Sequence, residues 1–222
     1  MIGLRRREKI LAVVLAGTAG FVDSVGFLAA GGYFVSFMSG NSTRMVVHVA
    51  ERNLGGAGIA AVLLVSFFLG AVGGALVTRR RNLDDRPAVL TLVLVLLLVA
   101  MALQLTTSAT IWAVPVGIAV AAAAMGSMNS VFHTRGEVSL GVTYMTGAVV
   151  KSAHRLVDAL FGGSWAPYWQ QVFLWSALVI GGVLGAVSHL AVGPSTFGVA
   201  AVVVAAALVV TVVLRRREYR TA

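Results

Sequence analysis

Six stretches of this chain stay apolar for about twenty residues each, the length a helix needs to cross a hydrocarbon layer ~30 Å thick at ~1.5 Å rise per residue. They cover approximately residues 10–30, 57–77, 88–105, 111–132, 171–190 and 197–214. Six such runs leave little of the 222 residues for anything else. The composition agrees, with 59% hydrophobic and 11% charged residues against about 45–50% and about 25% in soluble domains. A soluble, disordered or fibrous protein is excluded. The fold class that follows is all-α, a polytopic membrane helix bundle forming one membrane domain over residues 1–222, with membrane lipid as its first partner.

Two further stretches, 33–50 and 138–160, are long enough to span but too polar to do so comfortably. The first carries Ser36, Ser39, Asn41, Ser42, Thr43, Arg44 and His48; the second carries Thr143, Thr146, Lys151, His154, Arg155 and Asp158. If all eight segments crossed, the arginines at 79–81 would lie outside and the uncharged loop 106–110 inside, against the tendency of short cytoplasmic loops to hold the excess Lys and Arg. With the two polar stretches broken or re-entrant, six crossings remain. Residues 5–9, 79–86, 133–137 and 215–220 then lie inside, 106–110 and 192–196 outside, and both termini are cytoplasmic. Loop charge therefore favours six crossings plus two broken or re-entrant segments, with eight crossings as the alternative.

The formal net charge of +9 does not indicate a nucleic-acid binder, because the arginines bound apolar runs instead of sharing a polar face. Zero cysteines exclude disulfides and thiol chemistry. The basic N-terminus, the apolar run and the small residues at 16–20 resemble a cleavable signal, but Asp23 and Ser24 lie inside a run that continues to Ala30, so a retained helix is expected.

The chain also repeats itself. Gly20-Phe-Val-Asp23-Ser24-Val25 aligns with Gly126-Ser-Met-Asn129-Ser130-Val131, and Val35-Ser36-Phe37-Met38-Ser39-Gly40 with Val142-Thr143-Tyr144-Met145-Thr146-Gly147. Arg44 pairs with Lys151, His48 with Arg155, and Gly70, Val72, Gly74 and Ala75 with Gly181, Val183, Gly185 and Ala186. Repeat one covers about 10–106 and repeat two about 111–214. Three crossings plus one polar insertion per half make the halves inverted, a plan that recurs in transporters and channels with the site near the midplane; eight crossings would make them parallel.

Backbone in hydrocarbon must satisfy its own hydrogen bonds, so a break survives only where protein or water surrounds it. Ser39-Gly40-Asn41 and Thr146-Gly147 are the expected breaks, with a fresh helix starting after each glycine and its unpaired N–H groups pointing inward. Arg44 and Lys151 follow one turn later, and the i,i+4 pairs Arg44 with His48 and Lys151 with Arg155 turn two basic groups to one face. A charge at the middle of a span costs ~2.5–3.5 kcal/mol even on the lenient insertion scale, so these cations need partners. Asp23 is the natural counter-ion for Arg44, while Asn129 replaces it in the second half.

Taken together, the candidate substrate-binding residues are Asp23, Ser39, Gly40, Asn41, Arg44, Asn129, Thr146, Gly147 and Lys151, in a central site between the halves. The expected function is a small-solute transporter or channel, with anionic or zwitterionic solutes favoured because basic groups and helix N-termini outnumber the one acid. No cofactor, metal or nucleic acid is expected. His48, His133, His154 and His189 lack the spacing of a metal site. Trp112, Trp165, Tyr168, Trp169 and Trp175 sit at span ends, where aromatic belts form. Rival readings are a non-transporting membrane partner or regulator, and an intramembrane hydrolase using Ser24, Ser39, Ser127 or Ser130 with a histidine base, for which no motif supplies the oriented third group.

At Gly20-Phe21-Val22-Asp23-Ser24-Val25-Gly26-Phe27-Leu28, Phe37-Met38-Ser39-Gly40-Asn41, Gly126, Asn129 and Thr143-Tyr144-Met145-Thr146-Gly147, the chain resembles the YoaK family of bacterial membrane proteins. The resemblance spans nearly the whole sequence; Ser39 and Ser24 stand where that family usually has Thr and Ala. It implies a multi-pass protein of the bacterial inner membrane and brings no substrate, cofactor or catalytic residue.

Overall fold

The computed structural model describes residues 6–79, 85–106, 113–134, 137–138, 143 and 145–221. These form eight α-helices: α1 (Arg6–Ala29), α2 (Met38–Ala50), α3 (Leu54–Arg79), α4 (Arg86–Thr106), α5 (Ala113–Met128), α6 (Met145–Leu160), α7 (Ala166–Val192) and α8 (Thr196–Thr221). Among the described residues the one departure from helix with paired backbone is a short hairpin, His133–Thr134 against Glu137–Val138. Five helices, α1, α3, α4, α7 and α8, are long and apolar enough to cross a bilayer. The sixth run is α5, which continues through a 3₁₀ turn over Asn129–Phe132. By contrast α2 has 13 residues and α6 has 16, about 20 and 24 Å at helical rise and so short of ~30 Å of hydrocarbon.

Side-chain contacts fix the helix directions. Glu8 and Arg86, near the starts of α1 and α4, pair at 2.7 Å, so both helices begin at one end of the bundle. Gly117, early in α5, faces Ala100 and Gln104, late in α4, and Gly198, early in α8, faces Met101; α5 and α8 therefore run back. Helix α3 runs with α5, since Gly70 meets Ala123 and Gly74 meets Ser127 and Ser130. Helix α7 runs with α1, since Gly181 meets Gly17 and Gly185 meets Phe21. Thus α1, α4 and α7 point one way and α3, α5 and α8 the other. Because α1 and α3 are antiparallel, α2 between them returns to the side it left, and α6 does the same between α5 and α7. Eight full crossings would require α1 and α3 to be parallel, so six crossings and two non-crossing segments describe the fold.

The core is built from small residues. Ala12, Ala16 and Ala19 on α1 and Ala121, Ala122 and Ala124 on α5 are fully buried. Two backbone-to-backbone crossings organise it. A Cβ at Gly181 would lie 1.9 Å from the Gly17 carbonyl oxygen and one at Gly20 would lie 2.0 Å from that of Leu178; their counterparts Gly70 and Gly126 meet the Ala123 and Phe67 carbonyls at 1.9 and 2.0 Å. The α1–α7 and α3–α5 crossings are thus alike, each closed by glycines set against a facing backbone carbonyl. Small residues let helices approach where lipid offers no hydrophobic drive for association. The outward face is apolar: Val65, Phe68, Leu69 and Leu76 of α3 are more than half exposed, as a lipid-facing surface requires.

A candidate site at the broken segment of the first half

Helix α1 ends at Ala29, and the chain turns through Gly31 (φ +65°) and Gly32 (φ +96°), conformations that favour glycine. Residues 33–37 then run without helical pairing back along α1 before α2 begins. Gly26 allows the approach: a Cβ there would lie 2.6 Å from Val35 Cγ1.

Two polar side chains, Asp23 half-buried and Asn41 fully buried, satisfy the backbone of this stretch. Asp23 Oδ1 accepts hydrogen bonds from the Val35 N–H at 2.9 Å and the Ser36 N–H at 2.7 Å. Asn41, with no exposed surface, grips Phe34 from both sides: its Oδ1 accepts from the Phe34 N–H at 3.0 Å, and its Nδ2 donates to the Phe34 carbonyl at 2.6 Å. Each of these peptide groups left unpaired in an apolar interior would cost several kcal/mol, on the order of 2–7. The polarity of Asp23 and Asn41 is therefore what allows an unpaired strand inside an oily bundle. Beside them lies a cavity of about 320 Å³ lined by Asp23, Ser24, Phe27, Leu28, Phe34 and Ala186.

Further toward the α2–α3 turn, Tyr33 is the hub. Its hydroxyl donates to the Gly56 carbonyl at 3.0 Å and sits 3.0 Å from His48 Nε2. The Arg44 guanidinium lies over the Tyr33 ring, 4.5 Å from its centroid, and Nη1 donates to the Gly32 carbonyl at 2.6 Å. Arg44 and His48 do share one helix face, and Tyr33 is what that face meets.

The break in the first half falls earlier than the sequence suggested. Helix α2 starts at Met38 with Phe37 as its N-cap, so Ser39, Gly40 and Asn41 form its first turn, and the break is residues 31–37. Asn41 does not cap the helix because its amide is committed to Phe34. Likewise α6 starts at Met145, placing Thr146 and Gly147 inside its first turn; residues 139–142 and 144, where the second break would lie, are outside the described residues. The expected Asp23–Arg44 ion pair is replaced by other partners: the carboxylate is occupied by peptide N–H groups and the guanidinium by a carbonyl and a ring.

In the second half, Asn129 Nδ2 donates to the Met125 carbonyl at 3.1 Å and lies 3.2 Å from Thr143 Oγ1. Asn129 and Thr143 align in sequence with Asp23 and Ser36, and each of the two pairs, Asp23 with Ser36 and Asn129 with Thr143, is joined by a hydrogen bond. The two pairs do not join each other. Asp23 is 17 residues beyond Arg6, about 25 Å along α1. Asn129 lies at the other end, where the Arg86 guanidinium is 5.9 Å from the Phe132 ring. The nine sequence candidates thus divide into Asp23, Ser39, Gly40, Asn41 and Arg44 toward one end and Asn129, Thr146, Gly147 and Lys151 in the half that opens toward the other. Ser39, Thr146 and Lys151 are exposed, and Arg155 pairs with Asp158 at 3.2 Å.

Of the serines, Ser127 donates to the Gly70 carbonyl at 2.8 Å, and Ser24 lines the cavity without a histidine among the lining residues. Among the described residues no group of three or more His, Asp or Glu is placed to hold a metal. Tyr33, Glu8 and the Arg86 partner of Glu8 were missed as structural determinants; the aromatic beside the Gly31-Gly32 turn was the available signal for Tyr33.

A family model described as "Protein of unknown function (DUF1275)" matches residues 11–212. No curated protein matches the chain, and no solved structure does.

Proposed function

We infer a function from geometry alone, because the chain belongs to the DUF1275 family, whose description names no activity. The YoaK-like motifs all lie within the matched residues and are compatible with that membership. Our reading is a small-solute transporter or channel of the bacterial inner membrane, built as two inverted halves. The observation that carries it is the pair of short helices that enter and leave on one side, in halves running in opposite directions, each preceded by a polar pair that ties it to its neighbour. Irregular backbone at membrane depth is tolerated only where protein or a water-filled path surrounds it, and paired breaks in inverted halves are a common way to build such a path. Arg6, Arg7, Lys9, Arg79, Arg86, Arg215 and Arg216 all gather at the end where α1 begins, so that end faces the cytoplasm by the positive-inside bias. The broken segment of the first half then opens to the outside and that of the second to the inside. An anionic or zwitterionic solute suits this plan, since basic groups and helix N-termini outnumber the one acid.

Uptake of a panel of radiolabelled anionic, cationic and zwitterionic solutes into liposomes containing the purified protein tests this reading. Asp23→Asn is the informative variant, because an amide oxygen still accepts from Val35 and Ser36 and the second half already carries Asn129 at that position. Solute-dependent uptake that falls at least about tenfold in Asp23→Asn, with an unchanged melting temperature, is the expected result. If no solute moves, or Asp23→Asn transports as well as the parent, the protein is a membrane partner or regulator instead.

A further inference from the structure

Asp23 lines the cavity beside the broken segment, and among the described residues no basic side chain pairs with its carboxylate. The groups that surround the carboxylate are the backbones of Val35, Ser36 and Phe37 and the Ser36 hydroxyl. They satisfy its hydrogen bonds but bring no unit charge. Arg44, which the sequence offered as the counter-ion, gives its guanidinium to the Gly32 carbonyl and the Tyr33 ring instead. The rest of the cavity is aromatic and aliphatic, from Phe27, Leu28, Phe34 and Ala186, with Ser24 as the second polar residue. The Phe27 and Phe34 rings lie with centroids 4.9 Å apart at 44° between their planes, and Phe37 stands edge-on to Phe34 at 5.2 Å. The sequence counterparts of Asp23, Phe27 and Phe34 in the second half are Asn129, His133 and Gly141, so neither the carboxylate nor the two rings recur there.

From these features we propose that the cavity binds the ammonium group of a small zwitterionic solute. An aromatic ring carries negative potential on its face and attracts a cation within about 6 Å of its centroid, and the carboxylate supplies the full opposite charge. In a half-buried pocket that attraction is screened less than at an open surface. A purely anionic solute would meet like charge from Asp23 and from the ring faces alike. Of the anionic and zwitterionic solutes that the transport reading allows, the cavity therefore selects the zwitterionic ones. The volume of about 320 Å³ stands at the small end of ligand sites, about 300–1,000 Å³, which suits an ammonium group carrying only a few carbons. The proposal rests on the transport reading for the solute's passage, in which the ammonium end is met toward the outer face; the binding itself does not depend on transport.

Saturation-transfer difference NMR of the purified full chain in detergent reads binding without transport. Two probe pairs differ only by carbon in place of the charged nitrogen: glycine betaine against 3,3-dimethylbutanoate, and choline against 3,3-dimethylbutan-1-ol. In each pair the ammonium member should bind about tenfold more tightly or better. Asp23→Asn, which keeps an oxygen for the Val35 and Ser36 N–H groups, should bring the members of each pair within about twofold. Phe27→Leu should cut the preference by about threefold, whereas Asp158→Asn, at an exposed carboxylate of α6, should change nothing. Equal binding within either pair by the parent protein, or no saturable binding of the two ammonium probes, overturns the proposal. So does displacement of glycine betaine by sodium or potassium at matched concentration, which would make the cavity an alkali-cation site. The pairwise comparison uses the parent chain alone and decides the matter even if Asp23→Asn fails to fold. Liposome uptake fails separately: a protein that binds the ammonium probes and moves no solute loses the transport reading and keeps this site, while one that carries anions without binding those probes keeps transport and loses the site.

Discussion

Alanine at Gly181 or at Gly70 should weaken the bundle by similar amounts, because the two positions do the same work in opposite halves. At each, the added Cβ would sit 1.9 Å from a carbonyl oxygen of the facing helix, where ordinary contact begins at 3.4 Å. Backbone cannot rotate away as a side-chain end can, so α1 and α7, or α3 and α5, must separate by about 1.5 Å along a crossing that has no apolar drive to restore it. Overpacking of this kind costs about 1–3 kcal/mol, and alanine returns ~1 kcal/mol through its better helix propensity. The net loss is then up to about 2 kcal/mol, or up to roughly 8 °C in melting temperature for a chain of this size. Gly58→Ala in α3 is the control, since a Cβ there meets nothing within 4 Å and only the propensity gain applies. Thermal unfolding of the three purified variants in one detergent, followed by circular dichroism, reads the difference. If Gly181→Ala and Gly70→Ala melt at or above Gly58→Ala, the close crossings are not what holds the halves together.

Asn41→Leu should destabilise by about 2–5 kcal/mol, since it orphans both the Phe34 N–H and its carbonyl; denaturant unfolding measures it, and a loss under 1 kcal/mol would mean another group satisfies them. Tyr33→Phe removes the hydroxyl shared by Gly56 and His48 and should cost about 1–2 kcal/mol in the same assay. A cysteine at position 53, in a chain that has no other, should react with an impermeant maleimide from outside intact cells, and one at position 9 only after lysis; the reverse pattern would invert the assigned orientation. Glu8→Arg should lower the melting temperature by a few degrees, and adding Arg86→Glu should recover at least half of that loss, whereas no recovery would show that the 2.7 Å pair contributes nothing.

Hydropathy made the spans legible because hydrocarbon thickness leaves a helix few options in length: every apolar run became a helix within a few residues of its expected limits. Gly70 and Gly181, aligned with each other in the sequence, both stand where two helix backbones touch and a Cβ would not fit. Asp23 and Asn41 were recognisable as special because polar groups in such surroundings need partners. Which partners they take was hidden, since a carboxylate that caps two peptide N–H groups and one that pairs with Arg44 look alike in sequence. Asp23 and Asn129 lie toward opposite ends of the bundle, a separation that follows from the opposite directions of α1 and α5. Reversing a half sends equivalent positions to opposite depths, so Asp23 and Asn129 are counterparts that cannot be neighbours.

Each close crossing joins a helix of one half to a helix of the other, α1 to α7 and α5 to α3, so neither half contains its own main contact. During synthesis the first helix must therefore wait in the lipid until some 160 further residues have emerged, and a truncated N-terminal half has no partner for the Gly17–Gly20 face. Two half-length chains inserted in opposite senses would supply those partners to each other.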